Sequence, residues 1–271
     1  MKIASSTKSA LARAVRSNAV ARKLAHLGEI AIFGSEVREK FAKGLLSHYY
    51  RSVFRRQWAW QVYGEPHFSI HAGALFSLLD GQMGQGIYTL TRAFLSAEII
   101  REGDHVLDIG CGDGALTKRF YAPRAAHVDA IDIEGSAVRY AIRHNPASNI
   151  SYRRLDAVTE PFPRSSYDVI VFDGAIGHFT REGSAAVLKK ISSALAPSGV
   201  FCGSESIGPE GHDHLQVFHT SDDLRSLLQE QFGYVRLKQQ KYPLPSVAYE
   251  RIEAYWRCAN AEGRLDELDW K

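Results

Sequence analysis

No stretch of this chain approaches the ~20 uninterrupted apolar residues that a membrane-spanning helix needs, so an integral membrane segment is not expected. Cysteine is scarce. Cys111, Cys202 and Cys258 stand far apart, which excludes a disulfide-stapled secreted scaffold and any cysteine-spaced metal site. Reduced thiols in a cytoplasmic protein are the expectation. Acidic residues are missing from the first 28 positions, and the charge is uneven throughout. Residues 1–60 carry 12 Lys/Arg against 3 Asp/Glu, a balance of +9, while residues 61–271 carry 21 against 27, a balance of −6. The formal net charge of +3 therefore hides a basic N-terminus joined to an acidic remainder.

What is present suffices for a packed core: 45% of the residues are hydrophobic and 11% aromatic. Leu11, Val15, Ala19 and Leu24 fall at roughly helical spacing in the basic stretch. Organelle-targeting presequences share this composition, and so do surface-docked basic helices; the second is the expectation. Without a recognised binding module, a basic end does not make a nucleic-acid-binding protein. Between Phe41 and Phe76 the chain turns aromatic (Tyr49, Tyr50, Phe54, Trp58, Trp60, Tyr63), as a substrate lid or as helices packed on a sheet would. Residues 81–86, Gly-Gln-Met-Gly-Gln-Gly, read as a flexible turn, and Ile87–Ile100 as a helix.

The informative stretch is His105-Val106-Leu107-Asp108-Ile109-Gly110-Cys111-Gly112-Asp113-Gly114. A short apolar run delivers the chain into three alternate glycines, as a buried parallel strand does before a tight turn and a helix, here about Ala115–Tyr121. Glycine admits backbone angles closed to other residues and lets a ligand approach the main chain. A dinucleotide turn reads G-x-G-x-x-G and seats a pyrophosphate on the helix N-terminus. Here the spacing is G-x-G-x-G, and Asp108 would repel a pyrophosphate but suit an ammonium group.

Strands alternate with helices thereafter. Ala125–Asp132 ends in an acid 18 residues beyond Gly114, close to the offset at which such an acid reaches a ribose hydroxyl. Ile150–Leu155 runs into Asp156-Ala157, and Tyr167–Asp173 continues as Gly174-Ala175-Ile176-Gly177-His178-Phe179-Thr180. A helix over Glu182–Leu195, a strand over Val200–Ser204, a helix over Leu224–Gln231 and an antiparallel pair, Tyr234–Lys241 with Ala248–Cys258, complete a doubly wound α/β sheet.

From about Arg101 to Cys258 the chain resembles the class I S-adenosylmethionine-dependent methyltransferases, on VLDIGCGDG above all. The resemblance implies a Rossmann-like seven-stranded sheet over residues 96–271 behind a helical N-terminal extension, 1–95. It implies S-adenosyl-L-methionine as cofactor, with Asp108, Gly110, Gly112 and Gly114 at its methionine moiety. Asp132 would lie at the ribose and Asp156 at the adenine, with Ile133 and Ala157 also at the cofactor, and Asp173 at the border of cofactor and substrate or in a purely structural turn. DGAIGHFT with the His214–Phe218 region is similar to bacterial methyltransferases acting on small molecules or glycans. The N-terminal half also resembles cyclopropane fatty acid synthases, without a residue-by-residue match of their active-site segments. No Asn-Pro-Pro-Tyr-like motif follows the fourth strand, so a small-molecule or glycan acceptor is expected in place of nucleic acid.

Methyl transfer from a sulfonium is an in-line displacement in which positioning counts most, although an oxygen or nitrogen nucleophile also benefits from a base. His178 is the candidate base; the alternative is a histidine that caps or packs the next helix. His212, Asp213, His214 and His219 have ligand chemistry but no preorganising spacing, so no metal is expected. Glu205 would polarise substrate or pair with a cation. The rivals are a nicotinamide-dependent oxidoreductase, opposed by the glycine spacing and Asp108, and a non-catalytic module that keeps the fold. The sequence selects no oligomeric state.

Overall fold

The computed structural model describes residues 83–210, 214–242 and 250–266. The basic stretch at 1–28, the aromatic cluster at 41–76 and most of the proposed extension lie outside the described residues, as do His212 and Asp213.

Seven strands form one sheet: β1 (His105–Ile109), β2 (His127–Asp132), β3 (Ile150–Arg154), β4 (Tyr167–Asp173), β5 (Leu195–Ile207), β6 (Tyr234–Tyr242) and β7 (Arg251–Ala259). Their order is β3-β2-β1-β4-β5-β7-β6. The first five are parallel, and β7 enters antiparallel between β5 and β6. Parallel strands are covered on both faces, which is why β1 and β4 read as apolar runs and not as alternations. Val106, Leu107, Val169, Ile170, Val171 and Phe172 are fully buried.

The helices are α1 (Met83–Ala97), α2 (Gly135–His144), α3 (Arg181–Ala194), α4 (Ser221–Gln229) and the single turn α5 (Gly263–Asp266). One face of the sheet is closed by Val187, Leu188 and Ile191 of α3 and Leu224, Leu227 and Leu228 of α4, all at helical spacing. The other is closed by Ala93 of α1, by Ile99, Ile100 and Leu116, and by Leu265 of α5. Each such aliphatic side chain contributes roughly 1.5–3 kcal/mol when withdrawn from water. α4 opens with a capping box in which the Thr220 and Asp223 side chains each accept from the other's backbone N–H.

Three expectations are corrected. Residues 83–86 belong to α1 and not to a turn; buried Thr89, Arg92, Ala93 and Ser96 mark the covered stripe, and its packing offsets the cost of about 1 kcal/mol per helical glycine. The helix after the glycine turn is wound as a π-helix over Thr117–Tyr121, with the Ala122 N–H donating to the Thr117 carbonyl at 2.8 Å. β5 runs from Leu195 to Ile207, eight residues longer than Val200–Ser204, because β7 pairs with it as far as Ile207 and a register shift opposite Tyr167 and Val169 absorbs Pro197 to Gly199. The other boundaries move by one to three residues. No helix among the described residues is long and apolar enough to cross a membrane.

Candidate active site

The chain leaves β1 toward β2 on one side, and after β3 crosses back to β4 on the other. At such a reversal the loops diverge and open a crevice beyond the C-terminal ends of the strands. A cavity of about 1040 Å³ lies there, lined among others by Gly110, Gly112, Asp132, Ile133, Asp156, Ala157, Asp173 and His178. Seven of the nine expected cofactor residues and the expected base thus share one cavity. Asp108 and Gly114 are not on its wall.

The glycine turn explains that division. Gly110, Gly112 and Gly114 have φ of +75°, +53° and +72°, the left-handed region that favours glycine. The Gly110 N–H donates to the Ile131 carbonyl at 2.8 Å, and the Gly112 N–H to Asp132 Oδ2 at 2.8 Å, so β2 holds the turn in place. Gly114 faces inward: a Cβ there would stand 2.5 Å from the Tyr152 hydroxyl oxygen. Asp108 is buried beneath the turn, where its Oδ2 accepts from the Thr117 hydroxyl at 2.6 Å and ties strand to π-helix.

At the β2 end, Asp132 accepts two backbone N–H groups, from Gly112 through Oδ2 and from Glu134 through Oδ1, each at 2.8 Å. Burial raises its pKa, and these donors work against that rise. The Asp132 oxygens keep lone pairs for further donors. Ile133 is 63% exposed although large and apolar, and it borders the cavity; an exposed aliphatic at a cavity wall suits a flat ring. Asp156 folds its own loop by accepting from the Val158 N–H and the Thr159 hydroxyl, each at 2.8 Å, and the Thr159 bond leads in keeping its pKa low.

The β4 and β5 end carries a denser polar network. Asp173 accepts from the hydroxyls of Ser96 (2.8 Å), Tyr121 (2.8 Å) and Ser204 (3.0 Å), joining α1, the π-helix and β5. Desolvation nevertheless raises its pKa. His178 ends a 3-10 turn, Ile176–His178, just before Thr180 caps α3. Its ring centroid lies 4.5 Å from that of His214. His214 Nε2 stands 3.7 Å from Glu205 Oε1, and its Nδ1 stands 3.9 Å from Glu210 Oε2. Burial of Glu205 opposes ionisation, but His214 and the backbone N–H groups of Gly177 and Ser206 outweigh it and hold the carboxyl at about 2. The site thus pairs an ionised carboxylate with imidazole beside the cavity.

Sequence reasoning missed Tyr88, Arg92, Glu210 and Arg251, which also line the cavity. They come from α1, the loop after β5 and the start of β7, elements brought to one edge only by the sheet order. Arg92 and Arg251 share the buried Glu253, and the Arg251 guanidinium carbon lies 4.7 Å from the Tyr88 ring centroid. Their one sequence signal is the alternation Arg251-x-Glu253, which puts both charges on one face of a strand.

Residues 106–199 match the methyltransferase domain family. An uncharacterized methyltransferase of Mycobacterium tuberculosis is 31% identical over 107 residues, covering 40% of this chain and 53% of that protein. A ubiquinone/menaquinone biosynthesis C-methyltransferase of Hahella chejuensis is 29% identical over 133 residues, 46% of this chain and 53% of its own. The chain spans about half the length of the curated relatives it matches. Among solved structures, the N-methyltransferase NodS of Bradyrhizobium japonicum in complex with S-adenosyl-L-homocysteine superposes with a TM-score of 0.54 at 19% identity, over 76% of this chain and 97% of that one, a likeness of fold.

Proposed function

We propose that the chain is a class I S-adenosylmethionine-dependent methyltransferase that transfers a methyl group to an oxygen or nitrogen of a small-molecule or sugar-type acceptor. The observation that carries the reading is the single cavity joining the glycine turn and Asp132 to His178, Glu205 and His214. The residues present fit the cofactor. Gly110 and Gly112 leave main chain open at the cavity wall, Asp132 has acceptor capacity beside it, and Ile133 offers an apolar surface.

When bound, the cofactor supplies an electrophilic methyl on a sulfonium. The chain does the rest. Asp132 orients ribose hydroxyls, Ile133 and Ala157 border the adenine, and Asp156 meets its amino group. The glycine turn, shaped by Asp108 and Asp132, would hold the methionine end, and His178, Glu205 and His214 stand on the β4 and β5 side of the cavity. There His178 accepts the acceptor's proton as the nucleophile attacks. His178, packed on His214 beside ionised Glu205, then carries the positive charge, which that carboxylate stabilises. Tyr88, Phe179 and Leu215 add apolar surface to the cavity lining. The relatives methylate different atoms by name, so the acceptor atom rests on the presence of a base: an oxygen or nitrogen nucleophile has a proton to lose.

The test is a metabolite extract incubated with the protein and with S-adenosylmethionine carrying a deuterated methyl. Mass spectrometry should find a product heavier than its precursor by one labelled methyl, formed by the wild type and not by Gly112→Val. Extracts of broad composition that yield no labelled product would overturn the reading.

A further inference from the structure

The β4 and β5 end of the cavity carries a carboxylate that its own guanidiniums leave unmatched. Arg92 and Arg251 are the two on the wall, and both are engaged. Arg92 Nη2 and Arg251 Nε donate to the fully buried Glu253, and Arg251 Nη1 lies 2.7 Å from Glu210 Oε1. Two carboxylates thus match two guanidiniums. Glu205 is a third, only 2% exposed yet on the wall, and Asp173 adds to the excess when ionised. Among the described residues the one ion-pair partner of Glu205 is His214, with Nε2 at 3.7 Å, and imidazole supplies a full charge only while protonated. Glu205 Oε1 accepts from the Ser206 N–H and hydroxyl, whereas Oε2 accepts the Gly177 N–H alone and keeps a lone pair. Neutral donors therefore solvate this anion, but a buried carboxylate is best matched by a cation.

Gly177 ties this carboxylate to the candidate base and to an apolar wall. Its N–H donates to Glu205 at 2.8 Å, its carbonyl accepts from the Leu215 and Gln216 N–H groups at 2.9 and 3.0 Å, and His178 follows it in the same 3-10 turn. Leu215 is 64% exposed and lines the cavity with Tyr88 and Phe179. An exposed leucine on a cavity wall suits a ligand with an apolar body. Charge, base and apolar surface are thus held together around one residue. A hydroxyl could fill the lone pair of Glu205 but would leave its charge unmatched. A carboxylate or phosphate would add to the excess. An ammonium does both tasks, because it brings donors and a charge, and charge-assisted hydrogen bonds are the stronger class.

We propose that the acceptor is an amine on an apolar body, which enters as an ammonium and is held by Glu205, a substrate class that rests on the methyltransferase reading above. The ammonium gives one proton to His178, and the freed lone pair forms the N–C bond to the methyl. The C–S bond breaks with its electron pair left on sulfur, so the products are an N-methylated ammonium and S-adenosylhomocysteine. The experiment is titration calorimetry of the full chain, loaded with S-adenosylhomocysteine, against phenethylamine and phenethyl alcohol, which differ only in the charged group. The wild type should bind the amine roughly ten- to a hundred-fold more tightly, the range of one charged hydrogen bond. In Glu205→Gln that preference should vanish while affinity for S-adenosylhomocysteine stays, and Glu205→Asp, which keeps the charge, should retain part of it. The wild-type comparison needs no variant, so it decides even if Glu205→Gln fails to fold. The labelled product from the metabolite extract should release its deuterated methyl on nitrogen, as methylamine. Equal affinity for the two probes, or none for either, would overturn the amine and leave the methyltransferase reading standing. So would label released as methanol, or a Glu205→Gln chain that folds but loses S-adenosylhomocysteine. Absence of S-adenosylhomocysteine binding by the wild type would overturn that reading, and the amine with it.

Discussion

Gly114→Ala separates the architectural part of the glycine turn from the part that faces the ligand. The added methyl would stand 2.5 Å from the Tyr152 hydroxyl oxygen and 2.7 and 2.8 Å from two ring carbons, all inside van der Waals contact. Tyr152 cannot swing away without loss, since its hydroxyl donates to the Gly114 and Asn145 carbonyls at 3.2 and 2.9 Å. Overpacking of this kind costs about 1–3 kcal/mol, and holding alanine at φ +72° adds about 1–2 kcal/mol. The expected destabilisation is therefore roughly 2–5 kcal/mol, a large share of the ~5–15 kcal/mol that holds a domain together. For a domain of this size the melting temperature should fall by roughly 4–20 °C. Thermal denaturation followed by circular dichroism measures it, with Gly114→Ala, Tyr152→Ala and their combination compared. The double variant should be more stable than the sum of the singles predicts, because removing the ring removes the clash. A shift of under about 1 °C, or strict additivity, would refute the packing argument and return Gly114 to the ligand.

Asp132→Asn keeps the shape of the side chain but replaces one acceptor, so affinity for S-adenosylhomocysteine should weaken by roughly ten- to a hundred-fold; an unchanged dissociation constant would mean that Asp132 only pins the turn. Glu205 is held at about 2, below the ordinary carboxylate range, so its contribution to stability is present above about pH 4 and is lost as pH falls through about 2. In Glu205→Gln the melting temperature should accordingly fall less steeply with acid over that window than in the wild type; parallel curves would refute the assignment. His178→Gln should slow methyl transfer to the acceptor found by mass spectrometry by roughly 10²–10⁴-fold with cofactor affinity intact. Full turnover at saturating acceptor would make His178 a packing residue.

The parallel half of the sheet was legible because buried strands and glycine turns announce themselves locally: β4 was read at its observed limits, and β1 within the stretch that names the family. Asp132, Ile133, Asp156 and Ala157 follow strand ends, so sequence order alone carried them to the cavity. The length of β5 was hidden because its second half is stabilised by β7, some fifty residues later in the chain. Glu205 was therefore read at the end of the strand, when the ladder continues through it and the Gly177 N–H donates to it at 2.8 Å. His214 was set among possible metal ligands for its chemistry, yet what gives it a task is its place between Glu205 and Glu210. Arg92 was invisible for the same reason: a helical arginine acquires meaning only from the β7 glutamate opposite.

The central claim is that this cavity binds an S-adenosyl nucleoside and no other redox or nucleotide cofactor. Titration calorimetry of the full chain against S-adenosylmethionine, S-adenosylhomocysteine and NAD(H), with Gly112→Val in parallel, tests it most directly. The account predicts saturable binding of both sulfur nucleosides to the wild type, none to Gly112→Val, and no heat from NAD(H). Binding of NAD(H) with no response to either sulfur nucleoside would contradict it.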